Sequence, residues 1–171
     1  KPLINCLMYF GSDGINYNWE DSGYGEENTI AFNKALYKEA EACGFDNFHL
    51  GLYTTVSGLN SYNVNSLFGN EEGRTAHTML NYASSDFSYN MGSSVTAAET
   101  AMGTSEGLYA GVWIVSMNRG WSRLNQSESK RCGLCLWGEH ASSRFWSYNS
   151  GADAYIAQTN YQALLERGFS G

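Results

Sequence analysis

Five short apolar segments recur along the chain, each separated from the next by a helical pattern or a polar loop. They are INYNWE at 15–20, FHLGLYTT at 48–55, HTMLNYAS at 77–84, GLYAGVWIVS at 107–116 and CGLCLWGE at 132–139. Buried, nearly continuous apolar strands with helical crossovers are typical of a parallel sheet that helices cover. The pattern therefore predicts an α/β fold in which these segments are neighbouring parallel strands.

Helical patterns occupy the intervals between the strands. They are predicted at 3–10, 29–43, 94–102 and 152–167, with a polar loop between 56 and 76. Asn28 is the expected cap of the second helix, and Ser93 or Ser94 that of the third. Glycine follows the last three helices, as is common at helix carboxyl ends. The first helix is predicted to be buried, and the second has its apolar positions at Ile30, Ala35 and Cys43.

Charge and composition exclude several classes of partner. The 171 residues include 10 Lys+Arg and 17 Asp+Glu, which gives a formal net charge of -7 without any basic run. A nucleic-acid or anionic-membrane footprint is therefore not expected. No apolar run approaches the roughly 20 residues of a membrane helix. No Gly-rich phosphate fingerprint follows the strands, so no nucleotide or other cofactor is predicted.

The cysteines do not form a metal-binding pattern. Cys132 and Cys135 make one C-x-x-C pair, while Cys6, Cys43 and the three histidines are scattered. A zinc site needs a second pair at suitable spacing. We therefore expect structural thiols and no metal.

The first strand alternates strictly between polar and large apolar residues. Asn16, Asn18 and Glu20 are each two positions apart, so they share one face of a strand. That face would be the interior of a barrel. The alternative is an edge strand whose polar face is solvated.

Polar and aromatic residues also stand at the carboxyl ends of the predicted strands. They are Asn18, Glu20, Tyr53, Asn81, Tyr82, Trp113, Trp137 and Glu139. In a (β/α)8 barrel the active site lies at this end of the strands.

The sequence DGINYNWE resembles the D-G-x-D-x-D-x-E motif of glycoside hydrolase family 18, with Asn in place of two Asp. It also resembles family 85, the endo-β-N-acetylglucosaminidases, whose fourth barrel strand ends in N-x-E. MLNYASS, LYAGVWIVSMNRGW and GLCLWGEH resemble the sixth, seventh and eighth strands of that family. Ala83, Ser84 and Trp113 depart from the family pattern.

The resemblance implies a (β/α)8 TIM barrel of which only strands four to eight are present. Residues 1–171 would form a single partial catalytic barrel domain, since a whole barrel takes roughly 200 to over 400 residues. The missing half of the barrel, or a partner chain, is expected to cover the open edge.

The resemblance further implies a retaining, substrate-assisted hydrolase that cleaves the GlcNAc–GlcNAc core of N-glycans. Asn18 and Glu20 would be catalytic, with aromatic neighbours desolvating Glu20. The substrate, an N-glycan or a GlcNAc-containing oligosaccharide, would contact Asn16, Tyr53, Asn81, Tyr82, Trp113, Trp137 and Glu139. For Tyr53, a hydrogen bond to Glu20 and plain packing both stay open. A secreted or cell-surface protein is expected.

Two further functions fit the same residues. One is a degenerate barrel that binds glycans within a carbohydrate-capture assembly without cutting them, which the departures on strands six and seven favour. The other is a chitinase-like family 18 hydrolase, which the Asn residues at acidic positions disfavour.

Overall fold

The computed structural model describes residues 1–20, 26–82, 87–113 and 132–137, together with helical residues at 155, 156, 159 and 162. The elements in the continuous segments follow the order α1 (Pro2–Tyr9), β1 (Gly14–Asn18), α2 (Glu26–Ala42), β2 (His49–Tyr53), α3 (Val64–Leu67), β3 (Gly69–Asn70), β4 (Gly73–Arg74), β5 (His77–Tyr82), α4 (Phe87–Met102), β6 (Leu108–Trp113) and β7 (Gly133–Trp137). The predicted helix at 152–167 lies mostly outside the described residues.

A five-stranded sheet organises the described chain. Its strand order is β1-β2-β5-β6-β7, and every neighbouring pair is parallel. The predicted neighbours and their parallel direction are thus confirmed. In the described chain β1 and β7 are the two ends of this sheet, and the closed barrel stays a prediction. The short strands β3 and β4 form a separate antiparallel pair.

The larger hydrophobic core lies between the sheet and α4. Its strand residues are Leu52, Leu80, Leu108 and Ala110, and its helix residues are Met91, Val95 and Ala98. The helix residues recur every three or four positions, which places them on one side of α4. Each fully buried Leu, Val or Met side chain contributes about 1.5–3 kcal/mol by leaving water.

The starts of two helices differ from the prediction. α2 begins at Glu26, so Asn28 lies inside the helix and not at its cap. α4 begins at Phe87, which places Ser94 within the helix, where its Oγ accepts a hydrogen bond of 2.9 Å from the backbone N–H of Leu59. A serine hydroxyl favours the cap of a helix, but the hydroxyl of Ser94 binds a distant segment of the chain instead.

The buried side of α2 also differs from the prediction. Thr29, Asn33 and Ala40 are buried, whereas Ile30 is half-buried and Ala35 is exposed. A polar residue occupies the centre of the buried side because Asn33 is the hydrogen-bond partner of a tyrosine on β1. The hydrogen bond to that tyrosine therefore places a polar residue where the apolar pattern does not predict one.

The segment predicted as a polar loop at 56–76 contributes to the core. It contains α3 and the β3–β4 pair, and it buries Leu59, Val64, Leu67 and Phe68. The Thr78 hydroxyl donates a hydrogen bond to the carbonyl oxygen of Leu67. This segment thereby packs beside the sheet.

The first helix, α1, was predicted to be buried but is largely exposed. Only Ile4 is buried, and it joins a small cluster with Ala40, Phe48 and Leu50. Leu3, Met8, Tyr9 and Phe10 are exposed. Among the residues that the structure describes, a helix with the length and hydropathy of a membrane span was not found.

Candidate functional site

The polar and apolar faces of β1 are separated as the sequence predicts. Asn16 and Asn18 are exposed, as is Glu20 just beyond the strand, whereas Ile15 and Tyr17 are half-buried. The exposure of these three side chains shows that the polar face is solvated, and β1 is also an end strand of the described sheet. The edge-strand alternative therefore describes β1 within the described residues.

The strand register brings Tyr53 beside the polar face of β1. Asn18 and Tyr53 are partners in the parallel pairing of β1 with β2. Partners in a parallel ladder project to the same side of the sheet because side chains alternate in both strands. Asn18, Glu20 and Tyr53 therefore share one face at the carboxyl ends of adjacent strands.

Glu20 and Tyr53 interact directly. Burial raises the pKa of the Tyr53 hydroxyl, and the negative charge of Glu20 and a side-chain hydrogen bond to Glu20 raise it further. The backbone N–H of Trp19 donates a hydrogen bond of 2.8 Å to the carbonyl oxygen of Tyr53, so β1 stays beside β2 beyond its last residue. Tyr53 is only 7% exposed, so packing in the interior and interaction with Glu20 describe it together.

The expected desolvation of Glu20 is not observed. Its side chain is exposed, while Trp19 is half-buried on the opposite face of the chain. Trp19 and Tyr17 project away from Glu20, because neighbouring residues of an extended strand point to opposite sides. Aromatic residues adjacent in sequence therefore do not cover the carboxylate.

The strand register gives the backbone positions of the other predicted site residues relative to Tyr53. Tyr53 pairs with Met79 of β5, and Asn81 lies two positions after Met79 and pairs with Gly111 of β6. Tyr82 pairs with Val112, one position further along both strands, and its predicted contact with substrate stays a prediction. Trp113 of β6 pairs with Trp137 of β7, and Trp113 lies two positions after Gly111, the partner of Asn81. Glu139 lies outside the described residues.

A small cavity lies on the same face of the sheet, nearer the amino ends of the strands. Its volume is about 240 Å³, and its lining residues are Asn16, His49, Gly51, His77, Met79, Tyr109 and Cys135. The imidazole rings of His49 and His77 are 4.1 Å apart between centroids. Burial, the charge of His49 and the charge of Arg74 lower the pKa of His77 to about 4.

Sequence reasoning missed this histidine pair. His49 and His77 are the first residues of β2 and β5, and each precedes an apolar run. That shared position could have indicated that the two histidines face the same layer. Glycine shapes the cavity as well, since a Cβ on Gly51 would lie only 2.6 Å from Oδ1 of Asn16.

The C-x-x-C pair is divided between the two sides of β7. Cys135 lines the small cavity, whereas Cys132 packs against the larger core. Neither thiol is in a disulfide, and burial raises the pKa of Cys132 to about 11 against the opposing effect of a backbone hydrogen bond from Ala110. This placement matches structural thiols. In the segments that the structure describes, no group of three or more His, Cys, Asp and Glu side chains is arranged to hold a metal ion.

Comparison with known proteins gives no relative: no family model, no curated protein and no solved structure matches the chain. The functional argument therefore rests on the geometry of this site and on the motif of β1.

Proposed function

We propose that this chain carries the catalytic residues of an endo-β-N-acetylglucosaminidase that cleaves the GlcNAc–GlcNAc core of N-glycans with retention. One observation carries the proposal: Glu20 acts electrostatically on the hydroxyl of Tyr53 on the neighbouring strand, with Asn18 on the same face. The group contains one carboxyl, one amide and one phenol, and substrate-assisted hydrolysis requires the first two.

Substrate-assisted hydrolysis uses no carboxylate nucleophile from the protein. The acetamido oxygen of the substrate attacks the anomeric carbon, and the bond to the glycosidic oxygen breaks. The departing oxygen takes the electron pair and the proton of Glu20. Glu20 then removes a proton from water, which opens the oxazoline-type ring and restores the acid.

Asn18 and Tyr53 support the two halves of this reaction. The side-chain oxygen of Asn18 accepts the acetamido N–H and so directs the acetamido oxygen towards the anomeric carbon. The Tyr53 hydroxyl donates to the Glu20 carboxylate and holds it in place after its proton has left. Both roles depend on pre-set geometry, which is a large contribution to enzymatic rates.

We further propose that the parallel sheet is part of a (β/α)8 barrel and that its β1 edge is covered in the functional protein. A strand paired there would shield Glu20 from water and supply the desolvation that a general acid requires. The proposed substrate is an N-glycan or a GlcNAc-containing oligosaccharide. The proposed location of the protein is outside the cell, either secreted or at the cell surface.

The exposure of Glu20 favours a second candidate function. A solvated carboxylate beside amide and phenol groups can bind sugar hydroxyls without protonating a leaving group. In this reading the chain captures glycans and does not cut them.

Incubation of the protein with a high-mannose glycopeptide separates the two functions. The hydrolase releases the glycan and leaves one GlcNAc on the peptide, and mass spectrometry identifies both products. Glycan binding without products would support capture, and neither binding nor products would refute both proposals.

A further inference from the structure

β1 carries both proposed catalytic residues at an end of the sheet. Among the described strands it pairs with β2 alone. A strand with one neighbour is held less firmly against rotation about its own axis than a strand with two. The contacts on its apolar face therefore decide where Asn18 and Glu20 point.

Tyr17 and Trp19 fix the apolar side of this segment against α2. The Tyr17 hydroxyl donates a hydrogen bond of 2.7 Å to Oδ1 of Asn33. The ring of Phe32 on α2 lies 5.7 Å from that of Tyr17 and 6.0 Å from that of Trp19, between centroids. The helix thus holds this segment by one directional bond and by three packed rings.

An asparagine at position 33 lowers the stability of the folded state. It is 0% exposed, and its Nδ2 has no hydrogen-bond partner among the described residues. A buried donor without a partner destabilises the folded state, whereas leucine would fill a similar volume without that cost. Residues that break such rules are expected where function requires them. Within the described residues, the side-chain bond from Tyr17 is what Asn33 gains from this position.

We propose, on the basis of the proposed function, that Asn33 is a positioning residue whose bond to Tyr17 sets the rotation of β1. Side chains alternate along the strand, so a Tyr17 ring that turned away from Asn33 would turn Asn18 and Glu20 with it. Glu20 would then lose its contact with Tyr53. The buried helix residue acts on the reaction through the strand and does not touch the substrate.

Three variants separate positioning from mere stabilisation. Tyr17→Phe leaves both ends of the buried Asn33 amide without a partner among the described residues and should lower stability, whereas Asn33→Leu removes that amide and leaves only the half-buried Tyr17 hydroxyl unpaired. In each variant we expect kcat to fall about 100-fold with KM nearly unchanged. The double variant leaves neither group unpaired and should recover stability. Positioning predicts that its kcat stays low. Recovery of kcat together with stability would overturn the proposal.

A second measurement does not depend on catalysis. Glu20 raises the pKa of Tyr53, so loss of their contact should lower that pKa in Asn33→Leu towards its value in Glu20→Gln. An NMR titration of the Tyr53 ring, assigned with Tyr53→Phe, measures it. If the pKa of Tyr53 is lowered in Asn33→Leu but the wild-type protein cleaves nothing, positioning is supported and the proposed function is refuted. An unchanged pKa and kcat in an active enzyme would refute positioning alone.

Discussion

Burial and the side chain of Glu20 both raise the pKa of the Tyr53 hydroxyl, at the carboxyl ends of β1 and β2. Asn18 is the register partner of Tyr53, which brings an amide to the same place. The pairing of two strands thus assembles groups that lie 33 residues or more apart in the sequence. Any change that shifts this pairing should alter the site without touching its side chains.

Glu20→Gln should reduce hydrolysis of the GlcNAc–GlcNAc bond by about 10²–10⁴-fold, which is the usual contribution of general acid–base catalysis. Glycan binding should survive because the amide has nearly the same size. Mass spectrometry of the products and calorimetry of binding test the two parts. Glu71→Gln, in the exposed turn between β3 and β4, is the matched control and should keep full activity. Equal hydrolysis by wild type and Glu20→Gln would refute the assignment.

Asn18→Ala should also impair cleavage, because the acetamido group is no longer held for attack. A preformed sugar oxazoline should restore much of the rate, since the ring that Asn18 helps to close is already present. Initial rates with the oxazoline and with the intact glycopeptide provide the comparison. The same loss on both substrates would show that Asn18 does not act in ring closure.

Gly14→Ala should destabilise the protein by about 2 kcal/mol or more, within the range of strongly disruptive substitutions. A Cβ on Gly14 would overlap the backbone carbonyl oxygen of His49 and separate β1 from β2. Gly58→Ala is the control, because the nearest atom to its Cβ would be Ser94 Oγ at 3.5 Å. Urea unfolding measures both variants. Similar unfolding free energies for the two would contradict the close approach of the strands.

Acid should destabilise the fold through His77. Its pKa is lowered to about 4, from 6.5 in a solvated state, because burial and nearby positive charges disfavour the protonated ring. The folded state therefore binds the proton more weakly than the unfolded state, so this contribution to stability is present above pH 6.5 and is lost as the pH falls towards 4.

His77→Phe keeps a ring beside His49 and cannot titrate. Its unfolding free energy should therefore decrease less between pH 7 and pH 4.5 than that of the wild type. Urea unfolding at several pH values gives the two slopes. Identical slopes would show that His77 is protonated as readily in the folded state as in the unfolded one.

The strands were predictable because their signal is local. Alternation in INYNWE and the apolar runs of the later strands each persist over several residues, and parallel neighbours follow from the crossovers between them. Residues 56–76 were not predictable in this way: Leu59, Val64, Leu67 and Phe68 are buried, yet they stand among Asn, Ser and Gly without a helix or strand period.

The site was predictable only in part for a related reason. Sequence placed Asn18 and Glu20 on one face and offered Glu20 as one contact of Tyr53, but the choice among contacts depends on register. The burial of Asn33 depends on the same register, because it follows from where the Tyr17 hydroxyl lies. Helix propensity and hydropathy do not predict this contact between α2 and β1.

The backbone of β1 has a consequence for assembly. The N–H of Trp19 and the C=O of Asp13 both hydrogen-bond to β2, so in a parallel ladder the N–H and C=O groups of Asn16 and Asn18 point to the opposite edge. A strand docked there would bond to the very residues whose side chains form the site. Amide protons of Asn16 and Asn18 would exchange quickly with deuterated water while that edge is bare and slowly once it is occupied, so Asn18 would bind the partner strand through its backbone and the substrate through its side chain.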